Sequence, residues 1–213
     1  MIKRLKVILC LLMLQSVSFF AQHNQGLVEY AITVKAADTT ALQKQRAALL
    51  FDSKMALQFN DSLARMDFKM GKGMLTTIIV NNALKEGISL NSTSNGKFAY
   101  YLNKEYFNKN DKADENVVVK LLDEQKMVLG YRCSRADLVS GSTITTYWYT
   151  NELSFDVKQQ SLVNKNIPGF PLKYNTVSDG LYMEFEATNI EFELKNPEEA
   201  FSLKVPEGFK VVK

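Results

Sequence analysis

The sequence predicts a mainly β fold of the α+β kind, a single curved antiparallel sheet or half-barrel with one or two short helices packed on it. Three observations predict it. Apolar and polar residues alternate with a period of two through most of the chain. Short turn motifs, Gly71-Lys72-Gly73, Asn95-Gly96 and Ser140-Gly141, recur between the alternating runs. The run Leu181 to Leu194 switches the parity of its apolar residues midway, as a strand bent by a bulge does.

Taken in order, Val28, Tyr30, Ile32 and Val34 alternate with Glu29, Ala31 and Thr33 and define a first strand after Gly26. Asp38 is placed to cap a short helix running to Leu49 or Leu50, with Ala41, Leu42, Gln45, Ala48 and Leu49 at helical spacing. Met55, Leu57 and Phe59 alternate on the next strand. After the Asn60-Asp61 turn, Ala64, Met66, Phe68 and Met70 do the same, giving a hairpin with one apolar and one solvated face. Gly71-Lys72-Gly73 leads into the β-branched run Met74 to Val80, and Asn95-Gly96 joins Ile88–Leu90 to Phe98–Leu102. The charged stretch Asn108 to Asn116 reads as a flexible loop between two halves of one sheet.

The second half continues in the same style, with strands expected over Val117–Leu122, Met127–Val139 and Thr143–Thr150. Asn151 to Pro171 reads as irregular: Pro168-Gly169 has type II turn chemistry, and Pro171 argues against a ladder there. In the last strand Leu181, Met183, Phe185 and Ala187 are apolar at odd positions, and Ile190, Phe192 and Leu194 at even ones. A bulge between Ala187 and Asn189 keeps both sets on the inner face.

Location follows from the start of the chain. Lys3, Arg4 and Lys6 lead into an apolar run from Val7 to Phe20 that ends at Ala21-Gln22, the layout of a signal peptide and too short to span a bilayer comfortably. Residues 1–21 are therefore expected to be removed on export to the periplasm or cell surface, leaving residues 22–213 as one β-rich domain. Cys10 lies too early in the apolar run to be a lipidation site. The three basic residues of the leader account for the whole excess of 26 Lys+Arg over 23 Asp+Glu. The remainder is formally neutral, with no basic cluster interleaved with aromatics, so nucleic acid is not an expected partner.

Cysteine and histidine are scarce. Without Cys10, Cys133 has no partner for an internal disulfide. The one histidine, His23, follows the expected cleavage point closely, so His-based triads, dyads and zinc sites are not expected in the body of the domain.

Several blocks together resemble a known group: Lys54-Met55-Ala56-Leu57-Gln58-Phe59, Leu129-Gly130-Tyr131-Arg132-Cys133-Ser134-Arg135-Ala136, Tyr147-Trp148-Tyr149-Thr150, Ile167-Pro168-Gly169-Phe170-Pro171-Leu172 and Pro206-Glu207-Gly208-Phe209. They are similar to the exported proteins of Bacteroidota called the GLPGLI family and its related domain-of-unknown-function families. The name-giving motif is replaced here by Ile-Pro-Gly-Phe-Pro-Leu, which places the chain nearer a sister family. The resemblance implies a curved sheet with helices similar to the periplasmic carriers LolA and LolB, and no known activity.

Candidate sites each carry two readings. Met55, Leu57, Phe59, Met66, Phe68 and Met70 form an apolar strand face that would line a slot for a hydrophobic or lipid-like molecule, or would simply pack as core. Trp148, opposite in parity to Tyr147 and Tyr149, is a further lining candidate or a packed core aromatic. Cys133 reads as a buried, inert thiol. Glu184/Glu186 and Glu191/Glu193 share only residue type with the paired carboxylates of glycosidases, and strand alternation puts them on the solvent side. Asp111, Asp114 and Glu115 lack calcium-loop spacing, and Gly71-Lys72-Gly73 is too short for a phosphate loop. No catalytic residue, metal ligand or cofactor is expected. Three functions remain open: an exported, non-enzymatic binder of a hydrophobic small molecule or lipid; an envelope interaction module docking a protein through a sheet edge or the Tyr147–Tyr149 patch; and, far behind both, a hydrolase built on carboxylates alone, motivated only by the acidic pairs.

Overall fold

The computed structural model describes residues 24–113, 117–141, 143–153 and 162–212. The expected leader, His23, Asp114 and Glu115 lie outside the described residues. The alternating sequence builds one open, curved sheet of twelve strands. Its first strand, β1 (Gly26–Ala36), is followed by helix α1 (Ala41–Leu49) and then by a meander of β2 (Ser53–Phe59), β3 (Leu63–Met70), β4 (Met74–Asn81), β5 (Glu86–Thr93) and β6 (Gly96–Leu102). Helix α2 (Lys104–Ala113) leads to a second meander of β7 (Val118–Val128), β8 (Tyr131–Ser140), β9 (Thr143–Thr150), β10 (Phe170–Ser178) and β11 (Leu181–Glu191). A single-turn helix, α3 (Pro197–Ala200), and the short β12 (Lys210–Val212) complete it.

The two meanders are joined side by side because β1 pairs antiparallel with both β2 and β11, giving the order β12-β6-β5-β4-β3-β2-β1-β11-β10-β9-β8-β7. Only β12, which runs parallel to β6 with Lys210 opposite Phe98, departs from antiparallel pairing among the described strands. The parity change in the last long strand is a bulge, as expected: Glu29 pairs with Asn189 and Tyr30 with Ala187, leaving Thr188 as the extra residue. Its hydroxyl donates to the Glu29 carbonyl at 3.2 Å. Ile190 is thereby returned to the side of Phe185 and Ala187.

Several sequence-based expectations are corrected. The cap of α1 is Thr40, whose hydroxyl accepts from the Gln43 N–H at 3.4 Å, while Asp38 sits outside the helix and accepts from both the N–H and the hydroxyl of Thr40. No residue of α1 is buried, so its apolar spacing does not build the core. The stretch expected to be a loop after Asn108 is helical as far as Ala113, taking Asp111 with it, and α2 seats Phe107 in the core. Met127–Val139 is not one strand: Leu129 (φ 50) and Gly130 (φ 81) turn the chain between β7 and β8. Pro171 lies within a ladder after all, since β10 begins at Phe170 and Pro171 pairs with Tyr149 at a register shift. Finally, Gly96 opens β6 opposite Thr93 instead of sitting inside the turn, which is made by Ser94 and Asn95.

The Leu129 turn is a strained place for a branched residue, because a left-handed conformation sets Cβ against the carbonyl oxygen. Leu129→Asn relieves this at a half-exposed position and is expected to raise stability by about 1 kcal/mol, read as a higher urea midpoint.

Among the described residues three core clusters form, the smallest of them around Ala136, Leu138, Tyr149 and Ile167, and the two larger ones lie on opposite faces. The main one lies on the concave side, around Val28, Tyr30, Leu57, Phe59 and Phe185, and is closed by Phe107 from α2, by Leu153 and Val163 between β9 and β10, and by Phe170 at the start of β10. The second lies on the other face of β4–β6, where Ile79, Ile88, Leu90 and Ala99 are covered by the C-terminal segment through Phe201, with Leu203, Val205 and Phe209 alongside. Arg65 ties this strap down by donating to the Ala200 carbonyl at 3.1 Å. The strap explains why the apolar stretch at the end of β4 is not interrupted at Ile79: Ile79 is buried beneath it on one face and Val80 in the main core on the other.

Candidate functional site

The cross-strand register decides which side chains share the concave face. Tyr30 pairs with Met55 and Met55 with Phe68; Val28 pairs with Leu57, and Leu57 with Met66; Phe59 pairs with Ala64. Five of the proposed lining residues are thereby drawn into three adjacent rows, and Met70, two residues beyond Phe68, continues the same face. Those rows are not equivalent. Met55, Leu57 and Phe59 are buried in the packed core, whereas Met66, Phe68 and Met70 pack against its rim and are only partly buried, as are Val34, Ile78 and Met183 around them. One half of the concave face is therefore filled core and the other an unsealed apolar trough.

Along β1–β6 and β9–β11 every Asp, Glu, Lys and Arg falls on the opposite face by register. The trough is thus uncharged along its length. An aromatic ladder missed by the sequence reading crosses it. Tyr147 stacks on Tyr174 with centroids 5.3 Å apart, Tyr174 on Phe185 at 4.4 Å, and Phe185 meets Phe68 edge-on at 5.8 Å. Each member comes from a different strand, so no local spacing could have revealed it.

At the end of the trough α1 lies along β1, and between them is a half-open slot of about 380 Å³ lined by Ile32, Val34, Ala47, Ala48, Leu50 and Phe51, with Thr33 and Asp52 as its polar part. Leu42, Leu49 and Phe51 are 65%, 70% and 76% exposed, an unusual amount of apolar surface for nine helical residues and their flank. Toward the other end a recess of about 90 Å³ lies among Tyr30, Met55, Met66, Tyr147, Val163 and Tyr174. A wider groove of about 490 Å³ occupies the opposite face, but its floor is Ala31 and Ala56 and its charges are already engaged. Asp67 is held by Arg65 at 2.7 Å, and Lys54 and Lys69 flank Asp52 at 3.6 and 3.9 Å.

Trp148 does not join the lining. It pairs with Lys173, which in turn pairs with Glu186, and so faces away from Met55; Lys126 covers its ring at 4.4 Å from the centroid. The Tyr147–Tyr149 patch is likewise not an exposed edge, since β9 is enclosed between β8 and β10 and Tyr149 is buried. Glu184 and Glu186 lie on the outer face, where both accept from Lys173, at 2.9 and 2.7 Å. Among the described residues no group of three His, Cys, Asp or Glu is placed to hold a metal ion, and no helix is long and apolar enough to cross a membrane.

Cys133 is fully buried, and its thiol donates to the Tyr131 carbonyl at 3.7 Å. Burial pushes its pKa from 9.0 to about 11, against the opposing pull of Lys126. Because the unfolded chain releases this proton first, the contribution to stability is complete below about pH 9 and is lost as pH rises toward 11. The urea midpoint of the wild type is expected to fall between pH 9 and 10 more steeply than that of Cys133→Ala, and a thiol reagent is expected to label the protein only on unfolding.

Among solved structures, PNGF-II in a P21 crystal form is similar at 15% identity over 89% of this chain and 31% of that one, with a TM-score of 0.49. Its C2 form gives 15%, 88%, 30% and 0.47. LprF from Mycobacterium bovis is similar at 11% identity over 84% of this chain and 92% of that one, with a TM-score of 0.35. This chain thus spans less than a third of PNGF-II. No curated protein matches the sequence. Residues 41–209, which take in α1, β2–β11 and the C-terminal strap, match the model of a family described as a domain of unknown function (DUF4412), and the chain belongs to that family.

Proposed function

We propose that this is an exported, non-enzymatic protein of the periplasm or cell envelope that binds a hydrophobic, lipid-like molecule on its concave face, in the manner of a LolA-like carrier. The observation that carries the reading is the incompletely covered half of that face, to which its strands present no charge, running from Met66, Phe68 and Met70 to the slot between α1 and β1, where Asp52 is the one charged lining residue. Ordinary core packing accounts for Met55, Leu57 and Phe59. It leaves unexplained why a short helix keeps Leu42, Leu49 and Phe51 in water beside an open apolar slot. The slot volume falls within the range of roughly 300–1,000 Å³ usual for small-molecule sites.

The test is binding of the neutral fluorophore N-phenyl-1-naphthylamine to wild type and to Ala48→Trp, which fills the slot from an exposed helix position. Saturable binding by the wild type, weakened at least about tenfold in Ala48→Trp with an unchanged melting temperature, is expected. Equal binding by both proteins, or none by the wild type, removes the site.

A second reading, docking of an envelope protein, is favoured by one observation: β7 is an eleven-residue edge strand with Val118, Leu121 and Met127 about 60% exposed. The same strand is interrupted at Asp123-Glu124, where the register to β8 shifts and Arg135 donates to Glu124 at 2.9 Å. Such a bulged, charged edge resists strand addition, which places this reading second.

A further inference from the structure

On the concave face the hydroxyls of two neighbouring tyrosines, Tyr30 and Tyr174, are partnered very differently. Tyr30 donates to the Pro171 carbonyl at 2.8 Å, a full hydrogen bond. Tyr174 donates only to the Met55 thioether, at 3.7 Å, and thioether sulfur is a weak acceptor. Its ring is clamped between Tyr147 and Phe185, so the hydroxyl is aimed by stacking, and it borders the 90 Å³ recess. That volume matches about three waters or the few atoms of an ester group. Burial, reinforced by Tyr147, pushes the Tyr174 pKa well above the ordinary tyrosine range, so the group remains a donor throughout the stable pH range of the protein.

Resting on the hydrophobic-binding reading, we propose that the Tyr174 hydroxyl reads the polar group of the ligand, selecting an uncharged molecule with a carbonyl or ether oxygen, such as an acyl ester. The physical reason is twofold. A carboxylate entering the trough would lose its water with no cation to replace it on the concave face of β1–β6 and β9–β11, whose Lys and Arg side chains all lie on the opposite face by register. A plain hydrocarbon would fill the apolar surface but leave Tyr174 with its weak sulfur contact, whereas an ester oxygen exchanges that contact for an ordinary hydrogen bond.

Displacement of N-phenyl-1-naphthylamine by methyl decanoate, decane and sodium decanoate tests this on the full chain at pH 8. Wild type is expected to bind the ester about five- to tenfold more tightly than the alkane, and the carboxylate most weakly. Tyr174→Phe keeps the ring stack and is expected to bind the alkane as before while losing the preference for the ester. Met55→Leu, which removes the internal acceptor, is expected to retain or increase that preference, and it serves as the independent arm if Tyr174→Phe proves unstable. An ester preference unchanged in Tyr174→Phe overturns the proposal, as does decanoate binding as tightly as its ester. In both of those outcomes hydrophobic binding itself survives. Failure of the wild type to bind the fluorophore and all three displacers overturns the binding reading and this inference with it.

Discussion

Phe107→Ala is expected to lower the unfolding free energy by about 3–5 kcal/mol, the usual cost of truncating a buried phenylalanine. Phe107 is 2% exposed and is the residue through which α2 enters the main core. Its ring meets that of Tyr106 edge-on at 5.5 Å, and Lys85 lies over it at 5.4 Å from the centroid. A ten-residue helix is marginal in water without tertiary packing, so the truncation removes both a core side chain and most of what holds α2 to the sheet. The expected readout is a large drop in urea midpoint at nearly constant m-value. A loss below about 1 kcal/mol would mean that the helix is not needed to close the concave face.

Gly71→Ala is the second substitution with a large expected effect, and it bears directly on the slot. Gly71 has a φ of 57, and a Cβ there would fall 2.2 Å from the Leu49 carbonyl oxygen, a contact with backbone that no side-chain rotation relieves. The position is tied from both sides: its N–H donates to the Ser53 hydroxyl at 3.0 Å, and that hydroxyl donates to the Leu50 carbonyl at 2.6 Å. The β3–β4 turn is therefore the seat on which the end of α1 rests. The substitution is expected to cost about 2–4 kcal/mol and to weaken fluorophore binding in step, because displacing α1 opens the slot. Gly73→Ala, with a negative φ and nothing within 4 Å of the added carbon, is the control and should change stability by less than about 0.5 kcal/mol. Equal effects at the two glycines would contradict this account of how α1 is held.

What was legible in the sequence was whatever two-residue alternation encodes. The hairpin from Met55 to Met70 and the parity break at Thr188 were readable because a buried face constrains every second side chain along one strand. The misreadings have equally specific causes. Leu129 concealed a turn because an apolar residue occupied a left-handed position. Pro171 masked β10 because a register shift accommodates it within the ladder. Asn108 to Ala113 looked like a loop because its composition is polar, yet Phe107 anchors the helix from one position earlier. The α1 pattern pointed to packing, but a helix of nine residues at the end of a sheet reaches too little core to bury its apolar side.

Sequence alone determined the curved antiparallel sheet, the outward position of the acidic pairs and the inertness of Cys133, because each depends on the alternation of side chains along a single strand or on the absence of partner residue types. Only the tertiary structure decided which half of the apolar face is filled and which stays open, that Trp148 faces away from it, and that Tyr147, Tyr174, Phe185 and Phe68 form one ladder. Those outcomes depend on the register between strands distant in sequence and on where α2 and the C-terminal strap come to rest, and neither leaves a periodic trace in the chain.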